Sequence, residues 1–169
     1  MAASLPSVSR LRGAALCALL IASLPQSAPA GEVKGTLAHR GNAIAVRHAY
    51  LVKGPDAVDP KMIVRKLILS ATDLEAKIKA CTTMSCTDRD LGDGMTVEFD
   101  AGPRLNYWVV RNRQAVQHSG TTPPSNFTAT RNEPGHLAGK LVFDSAGSGG
   151  PKVELEFDAP LLKEFTAAR

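Results

Sequence analysis

The 169-residue sequence predicts an all-β, mainly antiparallel domain, built as a β-sandwich or small barrel of about eight strands with one short helix. Three observations support this fold class. Apolar and polar residues alternate along several short segments, as in strands with one buried face. Turn-forming residues recur about every ten positions, which is typical of sandwiches and small barrels. The clearest alternation lies in a hairpin near the carboxyl end, residues 136–158.

The carboxyl-terminal hairpin also predicts its own register. If Phe143 lies opposite Val153, apolar and charged residues are matched across the two strands. The other pairs in this register are Leu141 with Leu155, Asp144 with Lys152, and Lys140 with Glu156. Phe157 then lies over Gly139, where the missing side chain leaves room for an aromatic ring.

Residues 31–53 predict a second hairpin, turned at Gly41 and Asn42, a two-residue connection that supplies positive φ. This turn pairs Leu37 with Val46. It also places His48 on the apolar face of its strand and Ala49 on the opposite side. The amino-terminal part of the domain is therefore expected to form a simple two-stranded ribbon.

The middle of the domain combines an interior strand with a helix. Residues 62–69 are apolar at both parities, which favours a strand buried on both faces. Thr72 and Glu75 have capping-box spacing and predict a helix from Asp73 to about Ala80. Further strands are expected at residues 95–99 and 104–117 and from residue 127 onward.

The amino terminus has the pattern of a signal peptide. Arg10 and Arg12 precede an apolar run, and small residues end at Ala30, so we expect cleavage of residues 1–30 and a single β domain at 31–169. The mature chain would then carry 18 basic and 16 acidic residues, a net charge of +2. A charge this small gives no reason to expect nucleic acid as a partner. No later segment is long and apolar enough for a membrane span. The expected location is secreted or periplasmic.

Cys81 and Cys86 are the only cysteines left after this cleavage. In an oxidising compartment they are expected to form a disulfide. A continuous helix would hold their Cα atoms more than about 8 Å apart, so the helix must end near Cys81. A structural role is favoured over a redox role, because the spacing is not Cys-x-x-Cys.

Two sets of residues are candidate metal ligands. Asp88, Asp90 and Asp93 lie in a turn-rich segment and could supply oxygens to Ca²⁺, although the spacing is not that of an EF-hand. His39 and His48 share a hairpin face and could bind a transition metal. An acidic connecting loop and core histidines explain the same residues, and we expect no cofactor unless Ca²⁺ binds.

Arg111, Arg113 and Tyr107 are candidate ligand-binding residues. The two arginines share a face of the predicted strand beside Tyr107, and two guanidinium groups could recognise a carboxylated ligand. A charged strand end reaching solvent explains the pattern equally simply.

Two groups of short motifs resemble a group of uncharacterised secreted bacterial β-sandwich proteins. The first is Gly35-x-Leu37, Gly41 and His48-Ala-Tyr50; the second is Phe127-x-Ala129, Gly139-x-Leu141 and Phe157-Asp-Ala-Pro-Leu161. The resemblance covers most of the mature chain and implies a secreted β fold. It brings no activity or site residues.

The sequence holds no recognisable catalytic motif such as Gly-x-Ser-x-Gly or His-Glu-x-x-His, so we expect no catalytic residues. The leading hypothesis is a non-catalytic binding or structural domain that recognises an unknown protein or small ligand in the cell envelope. Residues 54–60, 87–94 and 119–125 are its expected recognition loops. The alternatives are a metal-dependent function and a role as inhibitor or accessory of a secreted enzyme.

Overall fold

A computed structural model describes residues 31–114 and 116–169 of the chain, so the predicted signal peptide lies outside the described residues. Ten strands form in this part. They are β1 (Gly31–His39), β2 (Asn42–Ile44), β3 (His48–Pro55), β4 (Ile63–Ser70), β5 (Gly94–Phe99), β6 (Leu105–Val110), β7 (His118–Thr122), β8 (Phe127–Glu133), β9 (His136–Asp144) and β10 (Pro151–Glu164). The α-helix α1 is Glu75–Ala80, and 3₁₀ helices are Met84–Asp88, Pro124–Asn126 and Ala146–Ser148.

All ten strands belong to one sheet, which confirms the predicted all-β, mainly antiparallel class. The order is β7-β6-β5-β4-β3-β1-β10-β9-β8, with β2 attached to β1. Neighbouring strands run antiparallel, except where the end of β10 pairs with β3 in parallel, for example at Leu161 and Leu51. In the described residues no ladder joins β7 to β8, so the sheet is open between these two strands.

The sheet folds over so that its two halves share one interior. Tyr107 of β6 packs against Phe143 of β9, with ring centroids 5.0 Å apart. Phe99 of β5 meets Phe127 of β8 edge-to-face at 5.2 Å. These contacts join strands that are far apart in the sheet order. The inward-facing residues therefore form a single apolar core, which provides the main hydrophobic stabilisation of the fold.

A second, smaller core lies on the outer face of β3 and β4. Helix α1, the 3₁₀ helix Met84–Asp88 and the chain end near Phe165 cover this face. Because both faces of β4 are covered, its residues are buried at both parities, as the sequence predicted. The same holds for β3, in which Ala49 and Tyr50, on opposite faces, are both buried.

The carboxyl-terminal hairpin has the predicted register. Phe143 pairs with Val153, and Phe157 lies opposite Gly139. The reason for the glycine differs from the expected one, however. Gly139 has φ of +152°, and a Cβ there would lie 2.3 Å from the Thr128 carbonyl oxygen of β8. The position requires glycine because the neighbouring strand approaches closely at an irregularity in the β8–β9 ladder.

The predicted register of the first hairpin is wrong. The turn residues are Arg40 and Gly41, both with positive φ, so Leu37 pairs with Ile44 and not with Val46. Two consecutive positive φ values match a type I′ turn, which begins one residue earlier than expected. The second strand also breaks after Ile44, and β3 pairs with the start of β1 as a separate strand.

The predicted capping box is also wrong, although the helix exists. Helix α1 begins at Glu75, and Thr72 makes no side-chain cap. The Asp73 carboxylate instead accepts the Glu75 N–H at 2.9 Å and the Tyr50 hydroxyl at 2.7 Å. The hydrogen bond from Tyr50 thus holds the Asp73 carboxylate where it accepts the first N–H of the helix.

The predicted disulfide is present. Cys81 and Cys86 are bonded with their Cα atoms 5.6 Å apart, and Cys81 ends helix α1 in an extended conformation, as the geometric argument required. Among the described residues, no helix has the length and apolar character needed to cross a membrane.

Candidate functional site

The outer face of β4, β5 and β6 carries a concave site. We call it the outer groove; its volume is about 660 Å³. The strands form its floor, and the 3₁₀ helix Met84–Asp88 and the last residues of the chain form its walls. Its floor residues are Lys66, Thr96, Glu98, Trp108 and Val110. Its wall and rim include Met84, Asp88, Arg89, Leu91, Arg113 and Arg169.

The strand register explains why these floor residues come together. Lys66 pairs with Glu98 across β4 and β5, and Thr96 pairs with Trp108 across β5 and β6. Because side chains alternate along each strand, paired residues and those two positions away share one face. The inward face of the same strands belongs to the core, so the groove lies entirely on the outer face.

A buried lysine between two carboxylates dominates the electrostatics of the groove. The Lys66 ammonium lies 2.8 Å from Asp88 and 3.7 Å from Glu98. Burial raises the pKa of Glu98, and the charge of Lys66 opposes this shift only in part. Neither Lys66 nor Glu98 is predicted as a functional residue from the sequence. A lysine within the apolar segment 62–69 was the available signal, since a buried ammonium needs an acidic partner.

The walls depend on the disulfide and on the chain end. Within the disulfide loop, the Met84 and Ser85 N–H groups donate to the Ala167 and Ala168 carbonyls at 3.1 and 3.0 Å. The loop and the carboxyl-terminal segment therefore form one continuous wall. This wall brings Met84 over the sheet, where its apolar side chain helps to line the groove.

The three candidate aspartates are separated by their partners. Asp88 binds Lys66 in the groove, and Asp90 lies 3.1 Å from the Lys77 ammonium. The Asp93 carboxylate accepts the Asn112 N–H at 2.7 Å, where it orders the connection after β6. Each carboxylate thus serves a different contact.

The two candidate histidines also lie apart. His39 ends β1 beside His118, whereas His48 begins β3 and stacks on Tyr50. Within residues 31–114 and 116–169, no group of three or more His, Cys, Asp or Glu residues is arranged to hold a metal ion. The metal hypothesis stays a prediction. Elemental analysis of untagged protein and thermal melts with and without EDTA test it.

Arg111 and Arg113 do not share a face, which corrects the prediction. Strand β6 ends at Val110, and Asn112 and Arg113 both have positive φ, so the alternation stops there. Arg113 borders the outer groove, whereas Arg111 has a buried Nε atom and acts electrostatically on His39, at the end of β1. Tyr107 itself is buried in the core, and its hydroxyl lies 3.3 Å from the Ser145 hydroxyl.

Comparisons of this chain with protein-family models, with curated proteins and with solved structures find no significant match.

Proposed function

We propose that the mature chain is a secreted or periplasmic, non-catalytic binding domain and that the outer groove is its recognition site. The groove carries this proposal. Its volume lies in the usual range of small-molecule sites, about 300–1,000 Å³. It also combines an apolar surface with a few convergent charged groups, which is the usual composition of such sites.

The chemistry of the groove favours an amphipathic ligand with an anionic group. Trp108, which is half-buried, and Val116, which is 49% exposed, offer apolar surface for a ring or an alkyl chain. Arg89 and Arg113 are exposed at the rim, where guanidinium groups can bind a carboxylate, sulfonate or phosphate. Lys66 is held by Asp88 and Glu98 and is less available to a ligand.

Two of the three expected recognition loops border the groove. Ala57 of loop 54–60 and Asp88 of loop 87–94 line it. Within residues 119–125, Thr122 pairs with Leu105 as part of β7, so this stretch extends the sheet instead of lining the groove. The proposed surface is accordingly narrower than the three-loop surface expected from the sequence.

The probe that tests the proposal is 1-anilinonaphthalene-8-sulfonate, which joins an apolar aromatic body to one anionic group. We expect saturable binding with one site per chain. The increase in the fluorescence of the probe measures this binding. Arg113→Gln should weaken binding by about tenfold, as expected for loss of one charge-assisted hydrogen bond of about 1.5 kcal/mol.

Arg111→Gln is the matched control. It removes the same charge two positions earlier, at a residue that does not line the outer groove, and should leave the affinity for the probe unchanged. Equal weakening by both substitutions, or binding that does not saturate, would contradict the proposal.

A further inference from the structure

The apolar interior ends in a polar layer at one end of the folded sheet. The inward-facing parity that carries Leu37 and Val109 continues into His39 and Arg111. On the neighbouring strand β7, His118 pairs with Val109. We call this set the end layer; its residues are His39, Arg111, His118 and Ser145. Nitrogen-bearing side chains and a hydroxyl therefore lie together at the end of the apolar core.

The members of the end layer are close neighbours. The His39 and His118 rings have centroids 6.0 Å apart, and His118 stacks on Tyr107 at 5.9 Å. The Tyr107 hydroxyl lies 3.3 Å from the Ser145 hydroxyl. A Cβ on Gly150 would lie 2.9 Å from the His118 Nε2 atom, so the glycine permits this approach.

Two buried nitrogen atoms of the layer have no hydrogen-bond partner among the described residues. They are Nε2 of His39, a residue only 2% exposed, and Nε of Arg111. The other side of the His39 ring is bonded to the backbone of Gly149. A buried polar group without a partner destabilises the fold, and more so when it is charged. Such a cost is tolerated where a ligand supplies the missing bond.

The charges that act on His39 are all basic. They belong to Arg40, His118 and Arg111, and together with burial, the largest effect, they lower the pKa of His39. Neither Arg40 nor Arg111 forms an ion pair with a carboxylate of the described residues. Positive charge without a nearby acid favours an anion as the group that completes the layer.

We infer that the end layer is a second binding site, which takes an oxyanion, either carboxylate or phosphate, through Arg111 and His39. The guanidinium donates to one oxygen and the imidazole, once protonated, to another. The Ser145 hydroxyl, which accepts the Tyr107 O–H, is an additional donor. Anion binding takes up a proton at His39, so affinity rises as the pH falls. The site is separate from the outer groove and does not depend on the function proposed for it.

Titration of the mature chain with inorganic phosphate and with sodium acetate, at constant ionic strength set with chloride, tests this inference. Nitrogen-15 NMR of the imidazoles reports the protonation of His39 and His118 directly. We expect saturable shifts at His39 and a raised pKa for that residue with at least one anion. Response to phosphate alone or to acetate alone identifies which oxyanion the site prefers.

Substitution separates this site from general surface charge. Arg111→Gln should weaken anion binding by about tenfold, whereas Arg104→Gln, which removes an exposed guanidinium at the opposite end of β6, should leave it unchanged. Equal weakening by both variants would overturn the inference. If Arg111→Gln fails to fold, the titration of the wild-type protein still tests the inference. A wild-type His39 that does not respond to either anion would show that the two nitrogens are satisfied by water, and would overturn it as well.

Discussion

The Lys66 ammonium lies 2.8 Å from the Asp88 carboxylate, although the side chain of Lys66 is only 7% exposed. This pair links strand β4 to the 3₁₀ helix Met84–Asp88, so it fixes one wall of the outer groove to its floor. Glu98, directly opposite Lys66 on β5, is the third member of the group. The charge balance of these three residues determines how the groove responds to pH.

The first prediction concerns Glu98→Gln. Burial raises the pKa of Glu98 above its ordinary value of 4.5, so its stabilising contribution is complete below that pH and is lost as the pH rises through the folded-state pKa. Glutamine does not titrate. The free energy of unfolding of the variant minus that of wild type should therefore be higher at about pH 7 than at about pH 4, which means that the variant is relatively more stable at neutral pH.

Urea unfolding at the two pH values measures this difference. Glu154→Gln is the control, because Glu154 is an exposed glutamate paired with Lys140 and its substitution should show no such trend. A Glu98→Gln variant that loses more stability at neutral than at acidic pH would show that the ion pair outweighs burial.

The second prediction concerns Arg65, which links strand β4 to the residue after β5 and to the end of β8. Its guanidinium makes two bonds to Asp100 and one each to the Asn132 side chain and the Glu133 carbonyl. Lysine cannot make this forked contact. Arg65→Lys should lower the free energy of unfolding by about 1–2 kcal/mol.

Chemical denaturation of Arg65→Lys and of a matched variant, Arg104→Lys, checks this expectation. Arg104 is exposed, and its hydrogen bonds to residues that the structure describes both go to Thr121. We expect its replacement to cost less than about 0.5 kcal/mol. Similar losses in the two variants would argue that Arg65 is an ordinary surface residue.

The third prediction concerns the Cys81–Cys86 disulfide. Its short loop predicts a stabilisation of about 2 kcal/mol from restriction of the unfolded chain. The double variant Cys81→Ser/Cys86→Ser should lose that amount. Its Met84 and Ser85 amides should also exchange hydrogen faster, because the loop holds them against the carboxyl-terminal segment. Hydrogen exchange measured by NMR tests the second part, and unchanged protection of both amides would contradict it.

The fourth prediction compares two glycines that both have strongly positive φ. Gly139→Ala places a Cβ 2.3 Å from a backbone oxygen, whereas Gly102→Ala meets nothing within 4 Å. Both substitutions pay for the backbone conformation, but only the first also forces strand β8 to move. Thermal melts should show a loss of more than about 2 kcal/mol for Gly139→Ala and a smaller loss for Gly102→Ala. Equal losses would mean that conformation alone explains the glycine.

Local patterns were sufficient to predict the carboxyl-terminal hairpin. Alternation and charge pairing fixed the register of Phe143 with Val153. The predicted register of the first hairpin is wrong because the turn residue Arg40 adopts positive φ, which the sequence does not indicate. Likewise, Tyr50 changed the helix cap through a bond to Asp73, 23 positions away. Long-range contacts of this kind leave no periodic trace in the sequence.

The candidate sites were less predictable than the fold. The outer groove depends on the order of β4, β5 and β6 and on a wall formed by two distant segments, so its residues do not form a motif. The sequence identified Arg111, Arg113 and Tyr107 as ligand-binding candidates but placed both arginines on one face. Because β6 ends at Val110, the two arginines do not alternate as in a strand, and they lie at different sites. The residue types were informative, and their grouping required the tertiary structure.

The most direct test of the central claim uses Trp108, the single tryptophan of the chain, which lies in the floor of the outer groove. Its emission should be quenched by energy transfer during titration with 1-anilinonaphthalene-8-sulfonate, with the same midpoint as the rise in probe fluorescence. Binding of the probe without any change in Trp108 emission would place the ligand elsewhere and would contradict the claim that the outer groove is the recognition site.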